Sequence, residues 1–336
     1  MEPGAIVGEK YRVGRAIGRG GMGVIVEATH LQLGTRVAIK ILRANPSERP
    51  EVAARFLREA QAAAQLRGEH ICRVHDYGTM PDGAPFMVME LLDGCDLGTL
   101  VDQEGPIEPA VVAHYVIQAC AGIAEAHARG LIHRDLKPGN LFLELRPDGS
   151  PFIKILDFGI AKSERADFKL TDTKSVVGSP AYMAPEQLKS SRLVDARTDI
   201  WALGVVMYEL LTEQVPFTGD SMPELVLAIT AEPPPPLPGA KIPAGLADIV
   251  YRCLDKDPDG RFQSVAELGE ALAPYADLPA KELARLSGAI QVKRPSAATR
   301  ADHVVDELLA KETTLHAATG ALELRPRHGL KLGVAI

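Results

Sequence analysis

Cysteine is scarce in this chain: four in 336 residues, Cys72, Cys95, Cys120 and Cys253, scattered and without a C-x-x-C pair. That excludes a disulfide framework and reads as reduced cytosolic thiols used for packing. An excess of positive charge is also lacking, because 44 Asp and Glu outnumber 37 Lys and Arg and leave a formal net charge of −7. With no basic field to release counterions from a phosphate backbone, nucleic acid is not an expected partner. No run of about 18 apolar residues occurs, so no bilayer span is expected. The opening residues, MEPGAIVGEKYRV, lack the charged region and apolar core of a signal peptide. A cytoplasmic location is the expectation. Only the ending, RPRHGLKLGVAI, reads like a basic juxtamembrane stretch at the start of an apolar run, and membrane association would enter only if the chain continued there.

What the chain does have is enough apolar content, 46%, for two lobes with separate cores or one large domain with a tail. Residues 11 to 43 alternate as strands (YRVGRAIG, GVIVEATH, TRVAIKILR) joined by glycine-rich or polar turns, an antiparallel meander. Residues 51 to 66 change to helical period, with Val52, Phe56, Ala63 and Leu66 on one stripe and Glu59 among them. Two short strands are expected around Ile71–Tyr77 and Phe86–Leu91, before the glycine of LLDGCDL. A long helix is expected from Pro109 to Arg129, stopped by Gly130. Residues 200 to 211 are apolar nearly all round, as befits a helix in the middle of a larger lobe. The prolines of EPPPPLPG (232–239) break helical structure and read as a stiff polyproline II connector. Past Pro274 the composition loosens, with one amphipathic stretch at 300–312.

Several segments carry chemistry. In IGRGGMGVIVEA, Gly18, Gly20 and Gly23 lie in a turn between strands, where backbone amides can approach phosphate oxygens. The same spacing occurs in dinucleotide folds, but there a helix follows and here a strand does. Lys40 ends the apolar strand VAIK, and the helical phase of Glu59 turns its carboxylate toward the same core. A buried carboxylate is costly unless paired, so the two are natural partners. In LIHRDLKPGNLFL, a strand-like LIH runs into a polar loop that holds Asp135 and Asn140, with Lys137 and Pro138 between them. A carboxylate there can accept the proton of an attacking hydroxyl, and an amide oxygen can ligate Mg²⁺. FIKILDFG places Asp157 at the end of another apolar strand, as a second metal ligand.

Taken in order, the glycine loop, VAIK, HRDLKPGN, DFG and Ala184-Pro185-Glu186 resemble the eukaryotic-like protein kinase superfamily, and bacterial Ser/Thr kinases most closely, from about Tyr11 to Ala273. The resemblance implies an α+β, two-lobed fold: a small antiparallel β-sheet lobe plus one helix (11–90), a hinge (90–95) and a larger, mainly helical lobe (96–274). Residues 1–10 are then an N-terminal extension and 275–336 a linker or tail. It implies that Ile17, Gly18, Arg19, Gly20, Gly21, Met22, Gly23, Val26, Ala38, Met89, Glu90 and Leu92 enclose ATP, with Met89 as gatekeeper. Lys40 would grip the α/β-phosphates and pair with Glu59. Asp135 would be the catalytic base or orient the substrate hydroxyl, and Lys137 would touch the transferred phosphoryl group. Asn140 and Asp157 would hold Mg²⁺, for which Mn²⁺ could stand in. Glu186 would pair with Arg261, and Asp199 would tie the buried helix to the catalytic loop.

Lysine in HRDLKPGN is the Ser/Thr form of that motif, and VVGSPAYMAPEQ resembles the matching substrate segment, with Ser179 where threonine is usual. The implied partners are protein substrates bearing Ser or Thr, with a transient homodimer for autophosphorylation in trans. Arg134 beside Asp135 implies control by phosphate on the activation segment, at Thr171 and Thr173. A nucleotide-dependent scaffold is the alternative class, opposed by the presence of Lys40, Glu59, Asp135, Asn140 and Asp157. A small-molecule kinase would lack both HRDLKPGN and the Ala184-Pro185-Glu186 segment.

Overall fold

A computed structural model describes residues 2–20, 23–42, 50–146, 149–158, 179–189, 194–239 and 241–276. The small lobe is an antiparallel sheet of six strands: β1 (Ile6–Val7), β2 (Tyr11–Gly20), β3 (Gly23–His30), β4 (Arg36–Leu42), β5 (Val74–Thr79) and β6 (Pro85–Glu90). Their order is β1-β2-β3-β4-β6-β5, so the sheet takes in two residues ahead of Tyr11. Period-2 alternation gives this sheet two apolar faces. On one, Val13, Val24, Val26, Ile39, Phe86 and Val88 form a core. On the other, Leu42 and Met87 pack on Phe56 and Ala60 of helix α1 (Pro50–Ala63).

The strand expected at Ile71–Tyr77 begins three residues later. Ile71 instead bridges to Ile155, the Cys72 N–H donates to the Ile155 carbonyl at 2.9 Å, and the Ile155 N–H donates to the His70 carbonyl at 2.8 Å. Pairing with the large lobe thus outcompetes extension of β5, and residues 70–72 become a seam between the lobes.

A three-stranded sheet follows, β7 (Gly94–Asp96), β8 (Leu141–Leu145) and β9 (Pro151–Ile155). The remaining helices are α2 (Leu97–Glu104), α3 (Pro109–Ala128), α4 (Pro185–Lys189), α5 (Arg197–Thr212), α6 (Met222–Ala231), α7 (Ala244–Cys253) and α8 (Val265–Leu272). Gly130, at φ 73°, ends α3 in a Schellman turn: its N–H donates to the His127 carbonyl, and the Leu131 N–H to that of Ala126. Leu131 and Ile132, although apolar, form no strand and lead directly into the catalytic loop.

Helix α5 is buried nearly all round, with Trp201 stacked on Phe217 at 5.6 Å. A Cβ added at Gly204 of α5 would lie 2.6 Å from the Cβ of Cys253, an atom that cannot move without α7. Gly204→Ala is therefore expected to be destabilising: overpacking costs about 1–3 kcal/mol, against a helix-propensity gain of about 1 kcal/mol. A thermal melt of the variant tests this, and a higher midpoint would contradict the packing argument.

Candidate active site

Lys40 lies on the sheet face that α1 covers. Its register partners are Ile25 on β3 and Met87 on β6, and Ala38 stands opposite Met89 two residues along. Val26 pairs with Ile39 instead, and both belong to the core on the other face. This corrects the placement of Val26 over adenine. Successive strand residues point to opposite faces, and Ile25 is the one that shares the lysine's face.

The Lys40 ammonium contacts Asp157 Oδ1 at 2.7 Å. Burial would lower the Lys40 pKa, but the charges of Asp157, Glu59 and Asp135 more than reverse this, and the pKa is raised. Glu59 itself is half-buried on α1, and its charge reaches the lysine.

The catalytic loop is held from below by α5. Asp199, fully buried, accepts the backbone N–H of His133 on Oδ2 and that of Arg134 on Oδ1, each at 2.9 Å. Its Oδ2 also meets His127 Nε2 at 2.7 Å. Burial alone would push the Asp199 carboxyl up, but His127, His133 and the Arg134 N–H hold its pKa below the usual value. It therefore stays ionised and works as a double acceptor for the loop backbone. His127, in the last turn of α3, is a partner that sequence reasoning missed; a histidine at the end of a largely apolar helix was the available signal.

His133 links this loop to the strand before Asp157. Burial lowers its pKa, and its Nδ1 accepts the Asp135 N–H at 3.3 Å, so the neutral ring donates from Nε2 to the Leu156 carbonyl at 3.0 Å. The Leu156 N–H in turn donates to the Asn140 carbonyl at 2.8 Å. Asn140 Nδ2 donates to the Asp135 carbonyl at 2.7 Å and lies 3.4 Å from Asp135 Oδ2, which leaves Asn140 Oδ1 as an acceptor with no partner among the described residues. Lys137 Nζ stands 3.6 Å from Asp135 Oδ2. Two residues of the site carry positive φ without being glycine, Arg134 at 63° and Asp157 at 43°. Such backbone persists only where the surroundings impose it, and here the bonds to Asp199 and the Lys40 contact do so.

At the hinge, Glu90 Oε1 accepts the Arg73 N–H and Lys154 Nζ, each at 2.7 Å. Lys154 lies on β9, so this pair, also unforeseen, joins the hinge to the strand that leads to Asp157. Leu92 is half-buried, and Ile17 is 43% exposed just ahead of Gly18, an apolar surface awaiting cover. Gly18 pairs with Ile25, Arg19 with Val24 and Gly20 with Gly23, while Gly21 and Met22 lie outside the described residues. So do Thr171 and Thr173. In the large lobe, Arg261 donates to both oxygens of Glu186, at 2.8 and 2.9 Å.

The donor set fits a phosphate-shared cation. Among the described residues no three His, Cys, Asp or Glu side chains converge as a metal cage. Asp157 and Asn140 Oδ1 offer two oxygens, which suits Mg²⁺, an ion usually held by one or two protein ligands plus substrate phosphates and water. No helix among the described residues is long and apolar enough to cross a membrane.

The protein kinase domain family matches residues 11–271. Among curated proteins, the serine/threonine-protein kinase Pkn1 of Myxococcus xanthus is 41% identical over 265 residues, covering 78% of this chain and 38% of its own. For pkn3 of the same organism the figures are 37% identity, 96% of this chain and 63% of the relative. PknB of Mycobacterium tuberculosis is 38% identical, with 77% and 42% covered. The chain thus spans less than two thirds of the length of each of these relatives. Among solved structures, the PknI kinase domain of Mycobacterium tuberculosis superposes with a TM-score of 0.63 at 28% identity, covering 82% of this chain and 100% of that one. The chain therefore belongs to the protein kinase domain family, within its bacterial-type serine/threonine kinases.

Proposed function

We propose that this chain transfers the γ-phosphate of ATP to serine and threonine hydroxyls of protein substrates. The observation that carries this reading is the convergence of Lys40 on Asp157 with the single loop that holds Asp135, Lys137 and Asn140. In this reading Lys40 orients the α/β-phosphates, kept cationic by its carboxylate neighbours, with Glu59 steadying it. Asp135 accepts the proton of the attacking hydroxyl or orients it, and Lys137 offsets charge on the transferred group. A divalent cation on Asp157 and Asn140 Oδ1, Mg²⁺ or Mn²⁺, would neutralise phosphate charge. Ile17, Ile25, Ala38, Met89 and Leu92 would enclose the adenine beside the backbone of Glu90, and the turn from Gly18 to Gly23 would cover the phosphates. The kinase domain runs from about residue 11 to 274, with 275–336 as a tail, in a cytoplasmic protein.

Regulation follows from Arg134. Burial pulls its pKa down against the opposing charge of Asp199, so its charged form gains from an added anion. Phosphate on Thr171 or Thr173 would supply one, placed in trans by a transient homodimer. Incubating the purified protein with Mg-ATP and mapping phosphate by mass spectrometry tests the proposal. Label on Thr171 or Thr173 supports a self-activating kinase, whereas ATP binding without any incorporation would return the chain to a scaffold role.

A second expected outcome concerns Lys40. Lys40→Met leaves Asp157 without its 2.7 Å partner and the phosphates without their cation, so kcat/KM is expected to fall by about 10²-fold or more. Steady-state kinetics on a generic Ser/Thr peptide measures it, and near-wild-type turnover would remove Lys40 from the machinery.

A further inference from the structure

Gln187, half-buried in the first turn of α4, belongs to none of the groups placed above, yet its side-chain amide joins the segment before α4 to the catalytic loop. Its Oε1 accepts the N–H of Ala184, the residue just ahead of the helix, at 2.9 Å. Its Nε2 donates to the Arg134 carbonyl at 3.2 Å. A backbone N–H only donates and a carbonyl only accepts, so one orientation of the amide satisfies both.

The first bond is ordinary capping, in which a glutamine or glutamate of the first turn reaches back to the N–H at the helix start. Glutamate would serve there at least as well, since a helix start favours a carboxylate. The second bond is the one that requires an amide. It falls on the peptide unit between Arg134 and Asp135, whose other end, the Asp135 N–H, donates to His133 Nδ1 at 3.3 Å. Both ends of that unit are thereby held, and its plane sets the direction in which the Asp135 side chain leaves the main chain. Arg134 depends on such support: its φ of 63° is a left-handed value that residues with a Cβ rarely adopt, and Asp199 holds only its N–H.

We propose that Gln187 is a positioning residue for phosphoryl transfer, whose amide fixes the Arg134–Asp135 peptide and couples the placement of Asp135 to the segment that ends at Ala184. This rests on the kinase reading above and adds to it a residue from outside the catalytic loop. Without the Nε2 donor the peptide unit is held at its N–H alone, by the longer of the two bonds, and the Asp135 carboxylate shifts relative to the incoming hydroxyl. Misplacing a catalytic group by about 1 Å can cost about 10²-fold in rate, so a fall in kcat of about 10- to 100-fold is expected. Lys40 and the hinge are untouched, so the KM for ATP should not move.

Gln187→Glu keeps the capping oxygen and removes the donor, whereas Gln187→Met removes both without adding a charge. The full chain and the two variants are compared in steady-state phosphorylation of a generic Ser/Thr peptide with Mg-ATP, beside thermal melts. The proposal expects both variants to lose kcat by about 10- to 100-fold at an unchanged KM for ATP, with Gln187→Glu melting close to wild type. A near-wild-type kcat in either variant overturns it. So does a loss in Gln187→Glu that runs in step with a lowered melting temperature, which is what a purely structural role would give. A wild type that phosphorylates neither the peptide nor itself is a different failure, that of the kinase reading on which the proposal rests.

Discussion

Asp135→Asn is expected to lower turnover by about 10²–10⁴-fold, the usual contribution of a positioned base, with ATP affinity nearly unchanged. The loop does not depend on this carboxylate for its shape. Its backbone is held through the Asp135 N–H on His133 and the Asp135 carbonyl under Asn140, and both bonds survive the substitution. An asparagine oxygen can still accept the long contacts from Asn140 and Lys137, at 3.4 and 3.6 Å. What disappears is the capacity to take a proton. The loss should therefore appear in kcat for peptide phosphorylation, while calorimetric ATP binding and the melting temperature stay close to wild type. Activity within a few-fold of wild type would mean that Asp135 only shapes the loop.

The residues of the proposed chemistry could be singled out in the sequence because residue type and short spacing mark them. Asp135, Lys137 and Asn140 lie within one loop, and nothing distant is needed to bring them together. Long-range geometry was far less legible. The pairs Lys154–Glu90 and His127–Asp199 join residues 64 and 72 positions apart, a relation that no local pattern encodes. Face assignment failed where the alternation was silent: Val24, Ile25 and Val26 are all apolar and β-branched, so the sequence does not say which of them points to Lys40. The left-handed backbone at Arg134 and Asp157 was hidden for a related reason, since glycine would have signalled it and these side chains do not. Strand β5 was misplaced because apolar Ile71 and Cys72 suit either lobe, and only the assembled seam shows which sheet they join.

Arg261→Ala is expected to be the most destabilising single change, at about 3–5 kcal/mol, the usual cost of removing one partner from a buried ion pair. Arg261 is fully buried and binds Glu186 through both ends of its fork, while also donating to the carbonyls of Asp255 at 2.8 Å and Arg197 at 3.1 Å. Truncation leaves the Glu186 carboxylate with Thr198 Oγ1 at 2.9 Å and no counter-charge, and it leaves two backbone acceptors without this donor. It also strips the guanidinium from the face of Trp201. For a domain of this size the loss corresponds to a drop in melting temperature of roughly 10 °C. Adding Glu186→Leu should recover only part of it, because the orphaned carboxylate is removed but the Asp255 and Arg197 carbonyls still lack the donor. Full recovery in the double variant would show that the ion pair, and not the bracing of the backbone, is what Arg261 contributes; no loss in the single variant would show that the lobe closes over Glu186 without it.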